Sequence, residues 1–233
     1  ASNALPARFG DLGIDAHVQD SHAAYDPGAA EVARRLSARL GARLVEGGVS
    51  RLVYDCNRPP EAPDAIAAVS EIHRIPGNEG LSPAARHARV EAVYTPFKHR
   101  LEAVLADMAV DPVLLTIHTF TPVFHGKRRD VAVGVVHDDD ARLADALLET
   151  APATMPWPVL RNAPYGPEDR VTTTLRRHAI PQGRLNAMGE IRNDLVATAG
   201  DQHAVAQRMA DWIRAALDRL GVAADGSEAE CRG

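Results

Sequence analysis

The chain has 233 residues, with 26 Lys and Arg against 31 Asp and Glu, and a formal net charge of −5. Because this charge leaves no broad basic surface, we expect no nucleic-acid partner. A composition of 45% hydrophobic and 24% charged residues excludes a disordered chain. No apolar run approaches the roughly 20 residues that span a bilayer, so we expect a soluble, cytoplasmic protein with no membrane partner.

Four segments carry apolar residues at helical spacing, with capping signals at their ends. They are 28–40, 83–108, 139–149 and 202–220. The clearest start is Ser82-Pro83, a good N-cap followed by proline in the first turn. The Asp run that opens the third segment suits a helix N-terminus.

Three short runs rich in branched residues alternate with these helices and predict strands buried on both faces. They are Val49–Asp55, Pro112–His118 and Val131–Val136. The alternation predicts an α/β fold with a mostly parallel sheet. The aperiodic segment 151–185 predicts a long loop that covers or builds a site. We expect one domain over 1–221 and a flexible polar tail over 222–233.

The segment that follows the first predicted strand carries an Asn57-Arg58 pair and is then interrupted by two prolines. A guanidinium beside a carboxamide suits a small carboxylate, because arginine binds carboxylates bidentately. The alternative is a structural network in which Arg51 and Arg58 pair with Asp55 and Glu61.

Two further polar residues lie at apolar strand positions. His118 closes a predicted strand, where it suits a metal ligand or an acid–base group, and a satisfied core histidine is the alternative. Glu190 lies in the short apolar stretch Met188–Leu195 and suits a general base, whereas the alternative is an ion pair with Arg192 or with another strand.

Taken together, these segments resemble the N-formylglutamate amidohydrolase family. The matching text is SRLVYDCNRPPEAPDAI, IPGNEGLSPAARHARVEAVYTPFKHRL, HTFTPVF and EIRNDL, in this order. The resemblance extends over nearly the whole chain to about Ala216. It implies a three-layer α/β sandwich with a mostly parallel mixed sheet, like that of the zinc carboxypeptidases and aspartoacylases, and one bound Zn²⁺.

The resemblance also implies roles for individual residues. Asn57 and Arg58 would hold the α-carboxylate of an acylated amino acid, and Arg51 would polarise the scissile carbonyl. His118 would be a zinc ligand. Glu190 would take a proton from a zinc-bound water and pass it to the leaving amine.

The beginning of the chain departs from the family pattern. Relatives carry His-Ala-Ser-Asn-x-x-Pro, so the first metal-binding histidine would lie immediately before residue 1, together with the first strand. Ser-Asn-Ala is also a common cloning remnant, but Ala1 and Pro6 fit the motif. Asp26 is a candidate carboxylate ligand, with a turn or helix cap as the alternative. His178 resembles a recurring histidine of the relatives and would contact substrate.

The resulting prediction is a zinc-dependent amide hydrolase whose partner is a small N-acyl amino acid. The leading reaction converts N-formyl-L-glutamate to formate and glutamate, which by resemblance belongs to histidine breakdown. One alternative is a deacylase or carboxypeptidase of other N-acyl amino acids. Another is a metal-free protein that retains Asn57 and Arg58 only to bind a carboxylate.

Overall fold

The structure, a computed structural model, describes residues 2–108 and 111–222. Its helices are α1 (Ala16–Gln19), α2 (Ala29–Leu40), α3 (Pro83–Arg89), α4 (Thr95–Ala106), α5 (Arg142–Thr154), α6 (Thr173–His178) and α7 (Ala199–Arg219). Its strands are β1 (Val69–Ser70), β2 (His73–Arg74), β3 (Leu114–Phe120), β4 (Val123–Phe124), β5 (Lys127–Arg128), β6 (Val133–Val136), β7 (Val159–Arg161) and β8 (Asn186–Arg192).

A four-stranded sheet in the order β3-β8-β6-β7 organises the chain. β3 runs parallel to β8 and β7 runs parallel to β6, whereas β6 and β8 are antiparallel. Two small antiparallel hairpins, β1–β2 and β4–β5, lie outside this sheet. The prediction of a mixed α/β fold with a mostly parallel sheet is confirmed, and the described strands form no closed barrel.

Helices cover both faces of the sheet, and the alternation of β8 shows how. Ala187 and Ile191 pack into a large apolar cluster with residues of α2, α5 and α7. Met188 belongs to a second cluster, with residues of α4 and α6. Because successive side chains of a strand point to opposite faces, Glu190 shares the face of Met188. The same alternation in β3 and β6 therefore decides which side chains can meet Glu190.

The predicted helices are all present, with shifted ends. Segment 28–40 is α2, and 202–220 is α7, which begins at Ala199 behind a capping box between Thr198 and Asp201. Segment 139–149 is α5, which begins only at Arg142 because the Asp140 carboxylate bonds the backbone and side chain of that residue.

The long helix over 83–108 is present but interrupted. Ser82 caps it, since its hydroxyl accepts a hydrogen bond from the Ala85 N–H. A π-helical turn over Val90–Tyr94 then separates α3 from α4. Pro96 follows this turn and has no N–H to donate to the preceding turn, so the local widening coincides with a missing helical hydrogen bond.

Two of the predicted strands are confirmed, as β3 and β6, and the third is wrong. Val49–Asp55 forms buried turns, because the Ser50 hydroxyl donates to the Ala24 carbonyl at 2.9 Å and the Val53 N–H returns to the Ser50 carbonyl at 3.0 Å. Leu52 is only 2% exposed. The apolar run therefore reports burial, which this chain achieves without a strand.

The remaining organisational predictions have mixed outcomes. The segment 151–185 is not one uninterrupted loop, because it contains β7 and α6. The predicted tail lies outside the described residues from 223 onward. The single domain over 1–221 stays a prediction. Among the described helices, none combines the length and apolar character that a bilayer crossing requires.

Gly134 in β6 allows the loop after β7 to cross directly over the sheet. The Ala163 carbonyl oxygen lies where a Cβ of residue 134 would stand. The loop is fixed there because the Asn162 N–H donates to the Val135 carbonyl at 2.8 Å and the Asn162 side chain accepts from the His137 N–H at 3.0 Å. Only glycine fits this close approach.

We expect Gly134→Ala to lower the free energy of unfolding by about 2 kcal/mol, because the added methyl group overpacks against backbone. Gly200→Ala, which adds a methyl group at ordinary contact distance in an exposed turn of α7, should instead stabilise by about 0.5–1 kcal/mol. Denaturant unfolding of both variants checks this. Equal stability of Gly134→Ala and the wild type would contradict the close approach.

Candidate active site

The pairing of β3 with β8 brings two of the predicted site residues side by side. His118 and Glu190 are direct partners in the parallel register, and Glu190 in turn is opposite Gly134 on β6. Residues in register on neighbouring strands share a face of the sheet. His118, Glu190 and the bare backbone of Gly134 thus form one row across the sheet, beneath the loop after β7.

Glu190 is a buried carboxyl group without a partner. It is 4% exposed, and its Oε2 atom accepts no hydrogen bond from any residue in the described ranges. Burial raises its pKa, and the nearby His118 and Arg51 act in the opposite direction. The alternative pairing with Arg192 is wrong, because the Arg192 guanidinium bonds Asp194 at 2.8 Å.

His118 is held as a neutral imidazole. Its Nδ1 atom lies 2.9 Å from Oδ2 of Asp26, a side chain that is 5% exposed. Since a carboxylate oxygen only accepts hydrogen bonds, Nδ1 carries the hydrogen and Nε2 retains its lone pair. Burial lowers the pKa of His118 to about 4, although the neighbouring Glu190 carboxylate favours the protonated form. Asp26 thereby fixes the tautomer of His118.

Arg51 brings a positive charge to the same place. Its backbone N–H donates to the Ala24 carbonyl at 3.0 Å, which anchors the residue beside Asp26. Its guanidinium forms an ion pair with the Asp26 carboxylate. The Nε atom of Arg51 is buried and donates to no described residue. The alternative pairing of Arg51 with Asp55 is therefore wrong, and one guanidinium donor is left for a ligand.

A cavity of about 710 Å³ unites these groups. Among the residues that line it are six of the seven predicted site residues: Asp26, Arg51, Asn57, Arg58, His118 and Glu190. His178 is not among them. It lies in α6 with 6% of its surface exposed, and burial lowers its pKa. The structure thus places His178 within the packing of α6, away from the cavity.

The Asn57 carboxamide is occupied by contacts within the protein. Its Nδ2 donates to the Val171 carbonyl. Its Oδ1 accepts from the Thr174 N–H at 3.1 Å and from the Thr174 hydroxyl at 2.9 Å. Asn57 therefore ties the segment leading into α6 to the wall of the cavity.

Arg58 is only partly occupied. Its Nε donates to Asp64 at 3.1 Å, and its Nη1 donates to the Arg170 carbonyl at 2.9 Å. The alternative partner Glu61 is replaced by Asp64. Within the described ranges no hydrogen bond uses Nη2 of Arg58, so this cation can still contact an anionic ligand.

The described residues supply an incomplete ligand set for zinc. A catalytic zinc site takes three protein ligands, typically histidine nitrogens and carboxylate oxygens. His118 in its neutral form and Asp26 are ligands of this kind. However, residues 2–108 and 111–222 contain no group of three His, Cys, Asp or Glu side chains that could hold a metal ion.

The cavity wall includes residues that the sequence did not reveal. Tyr165 lines it from the loop after β7, and its hydroxyl is bonded to Arg129. His22 and Glu71 also line it and are joined by a 2.6 Å contact. A signal for Tyr165 did exist, because it is one of few aromatic residues and lies between Pro164 and Gly166 in a segment predicted to build a site.

An unpaired buried carboxyl group, a neutral imidazole and a guanidinium around one cavity form an acid–base site, the class of site that hydrolytic enzymes use. This class is narrowed by comparison with known proteins. The chain belongs to the N-formylglutamate amidohydrolase family, whose model matches residues 1–197. No curated protein matches the chain.

The solved structures that resemble this one include the following two. A gene product of Agrobacterium tumefaciens is 49% identical, with a TM-score of 0.90 over 95% of this chain and 88% of that chain. The N-formylglutamate amidohydrolase of Ralstonia eutropha JMP134 is 16% identical, with a TM-score of 0.64 over 95% of this chain and 92% of that chain. The second likeness is one of fold.

We expect Asp26→Asn and Glu190→Gln to affect stability differently. Asp26→Asn removes the charge that holds Arg51 and His118, and should lower the free energy of unfolding by about 2 kcal/mol. Glu190→Gln replaces a buried carboxyl without a partner, so it should leave stability unchanged or raise it. Thermal and denaturant unfolding measure both. A loss for Glu190→Gln as large as that for Asp26→Asn would contradict the assignment of an unpaired carboxyl.

Proposed function

We propose that this protein hydrolyses the amide bond of an N-acyl acidic amino acid, with N-formyl-L-glutamate as the leading substrate and formate and glutamate as products. Family membership supports this proposal. The main observation in its favour is that two residues of one cavity each have a polar atom without a hydrogen-bond partner among the described residues. These atoms are the Glu190 Oε2 acceptor and the Arg51 Nε donor. An attacking water can donate to the first, and an amide carbonyl can accept from the second.

In this proposal Glu190 moves the proton. It takes one from the water that attacks the acyl carbon, and it delivers that proton to the nitrogen of the leaving amino acid. Burial raises the pKa of Glu190, which makes the carboxylate a stronger base than an exposed glutamate. Arg51 donates to the carbonyl oxygen, where negative charge develops during attack.

Arg58 is the proposed contact for the α-carboxylate of the substrate. Arg58 lines the cavity, and its Nη2 has no partner among the described residues, whereas the amide of Asn57 is already used. Asn57 then supports recognition indirectly, because it holds the segment that also supplies the Arg170 carbonyl to Arg58.

Zinc dependence is part of the proposal. His118 would offer its free Nε2 atom to the ion. Asp26 already binds Nδ1 of His118 and the Arg51 guanidinium, so it would have to leave these contacts to act as the predicted carboxylate ligand. A bound zinc ion would supply a more acidic water and a Lewis acid for the carbonyl. The zinc-carboxypeptidase-like architecture, a cytoplasmic location and a place in histidine breakdown are proposed on the family resemblance alone.

A second candidate function is carboxylate binding without hydrolysis. It is favoured by the contacts of Asp26, which already engages both Arg51 and His118, and by the lack of a three-ligand group in the described ranges. With this second function, Arg58 would contact the bound anion and no metal would be needed.

Formate release tests the proposed reaction. Purified protein supplied with zinc should release formate from N-formyl-L-glutamate, and Glu190→Gln should lower kcat at least about 100-fold because the general base is lost. The matched control is Glu149→Gln, which removes a surface carboxylate of α5 paired with Arg219 and should retain full activity.

Normal turnover by Glu190→Gln would exclude Glu190 as the base. N-formylaspartate, N-formylhistidine and N-acetylglutamate, assayed beside N-formylglutamate, separate the deformylase from the broader deacylase. A higher kcat/KM for any of these three would replace the leading substrate.

Removal of the metal distinguishes the two candidate functions, zinc-dependent hydrolysis and carboxylate binding without hydrolysis. After dialysis against a chelator, we expect the loss of formate release and its return on addition of zinc, because the neutral His118 is free to bind the ion again. Elemental analysis should find about one zinc per chain. The binding protein instead predicts calorimetric binding of N-formylglutamate without turnover and without zinc.

A further inference from the structure

Tyr165 lies in the loop after β7, and contacts of this loop with β6 place it at the cavity. The loop is bonded to the end of β6 through Asn162, and the Ala163 carbonyl is seated against the backbone of Gly134. A Cβ at Gly134 would stand 3.5 Å from the Cβ of Glu190, so this crossing point adjoins the candidate base. Two residues further on, the Tyr165 side chain lines the same cavity as Glu190 and Arg51.

The hydrogen bond to Arg129 determines what the Tyr165 hydroxyl can do. Nη1 of Arg129 lies 2.9 Å from the phenolic oxygen. A guanidinium has only donors, so this oxygen must accept. The hydroxyl hydrogen of Tyr165 is then left over, and no described residue accepts it in a hydrogen bond. A tyrosine held in this way can donate to a ligand in the cavity.

Arg129 is itself fixed in place. Its guanidinium lies 4.3 Å from the centre of the Phe124 ring, 4.9 Å from that of Tyr165 and 5.7 Å from that of Phe120. Such contacts between a cation and aromatic faces restrict its orientation. Arg129 does not belong to the cavity lining, so its contact with the cavity is made through the Tyr165 hydroxyl.

The phenol lies within the electrostatic reach of the proposed reaction centre. Burial raises the pKa of Tyr165, and this outweighs the hydrogen bond from Arg129. The Glu190 carboxylate raises it further, whereas the Arg51 guanidinium lowers it. The hydroxyl therefore keeps its hydrogen at neutral pH. Both Glu190 and Arg51, which the proposed reaction uses, interact with it electrostatically.

We propose that Tyr165 donates its phenolic hydrogen bond, beside Arg51, to the carbonyl oxygen of the scissile amide as that oxygen becomes negatively charged. Arg129 is the positioning residue. It donates a hydrogen bond to the phenolic oxygen, which leaves the hydroxyl hydrogen of Tyr165 free to donate to the substrate. This inference rests on the proposed amide hydrolysis. No proton is transferred, because the hydrogen bond only strengthens as charge develops.

Kinetics of Tyr165→Phe test the role. We expect kcat to fall about 100-fold, the usual effect of removing one donor to an oxyanion, with KM changed less than about threefold. Tyr94→Phe is the matched control, because the Tyr94 hydroxyl also receives a hydrogen bond from an arginine, Arg177, but lies outside the cavity lining. It should retain the wild-type kcat and KM.

Unchanged kcat in Tyr165→Phe, or a loss confined to KM, would overturn the proposal, because a donor to the substrate carboxylate would act on KM alone. Thermal unfolding of the variant should match the wild type.

A double-mutant cycle tests the positioning role of Arg129. Arg129→Met alone should lower kcat, and Arg129→Met combined with Tyr165→Phe should remain within about threefold of Tyr165→Phe, because Arg129 acts through the hydroxyl that is already absent. If the double variant lost kcat by the product of the two single losses, Arg129 would not act through the Tyr165 hydroxyl.

Ligand binding separates this inference from the proposed reaction. The probe is a phosphinate analogue of N-formylglutamate, in which a tetrahedral anionic phosphorus replaces the formyl carbon and CH₂ replaces NH. By calorimetry, Tyr165→Phe should bind it about tenfold more weakly than the wild type, with glutamate binding unchanged. A wild type that releases no formate would defeat the proposed reaction. Equal phosphinate affinity of the wild type and Tyr165→Phe would defeat the role of Tyr165.

Discussion

The parallel register between β3 and β8 is the constraint on which the candidate site depends. It sets His118 directly beside Glu190, on a face of the sheet where Gly134 leaves space for a crossing loop. A slip of one residue would turn either side chain to the opposite face, into the cluster formed by α2, α5 and α7. The large core on that face therefore protects the geometry of the site as well as the stability of the fold.

Around this pair, the protein satisfies some polar groups and leaves others unused. Asp26 engages both Arg51 and His118, which fixes a guanidinium and a tautomer. Glu190 receives no such support, and its burial without a partner costs free energy. Such unsatisfied groups persist where function requires them, because a ligand supplies the missing hydrogen bonds.

The sequence predicts the parts of this account that depend on local pattern. Apolar periodicity located the long helices, and polar residues within apolar strands pointed to His118 and Glu190. It failed at Val49–Asp55, since an apolar run records burial and does not distinguish a strand from buried turns. The role of Asn57 depends on contacts with Val171 and Thr174, which lie 114 and 117 positions further along the chain. The role of Tyr165 depends on Arg129, which lies 36 positions before it. No single-sequence pattern encodes such distant pairings.

We propose that a substrate amide lies between the Arg51 guanidinium and the Glu190 carboxyl group. A crystal structure of the Glu190→Gln variant grown with N-formyl-L-glutamate tests this position most directly. We predict the acyl oxygen within hydrogen-bond distance of Arg51, the acyl carbon facing the side chain at position 190, and the α-carboxylate on Arg58. A ligand bound outside this cavity, or one whose amide faces away from position 190, would contradict the account.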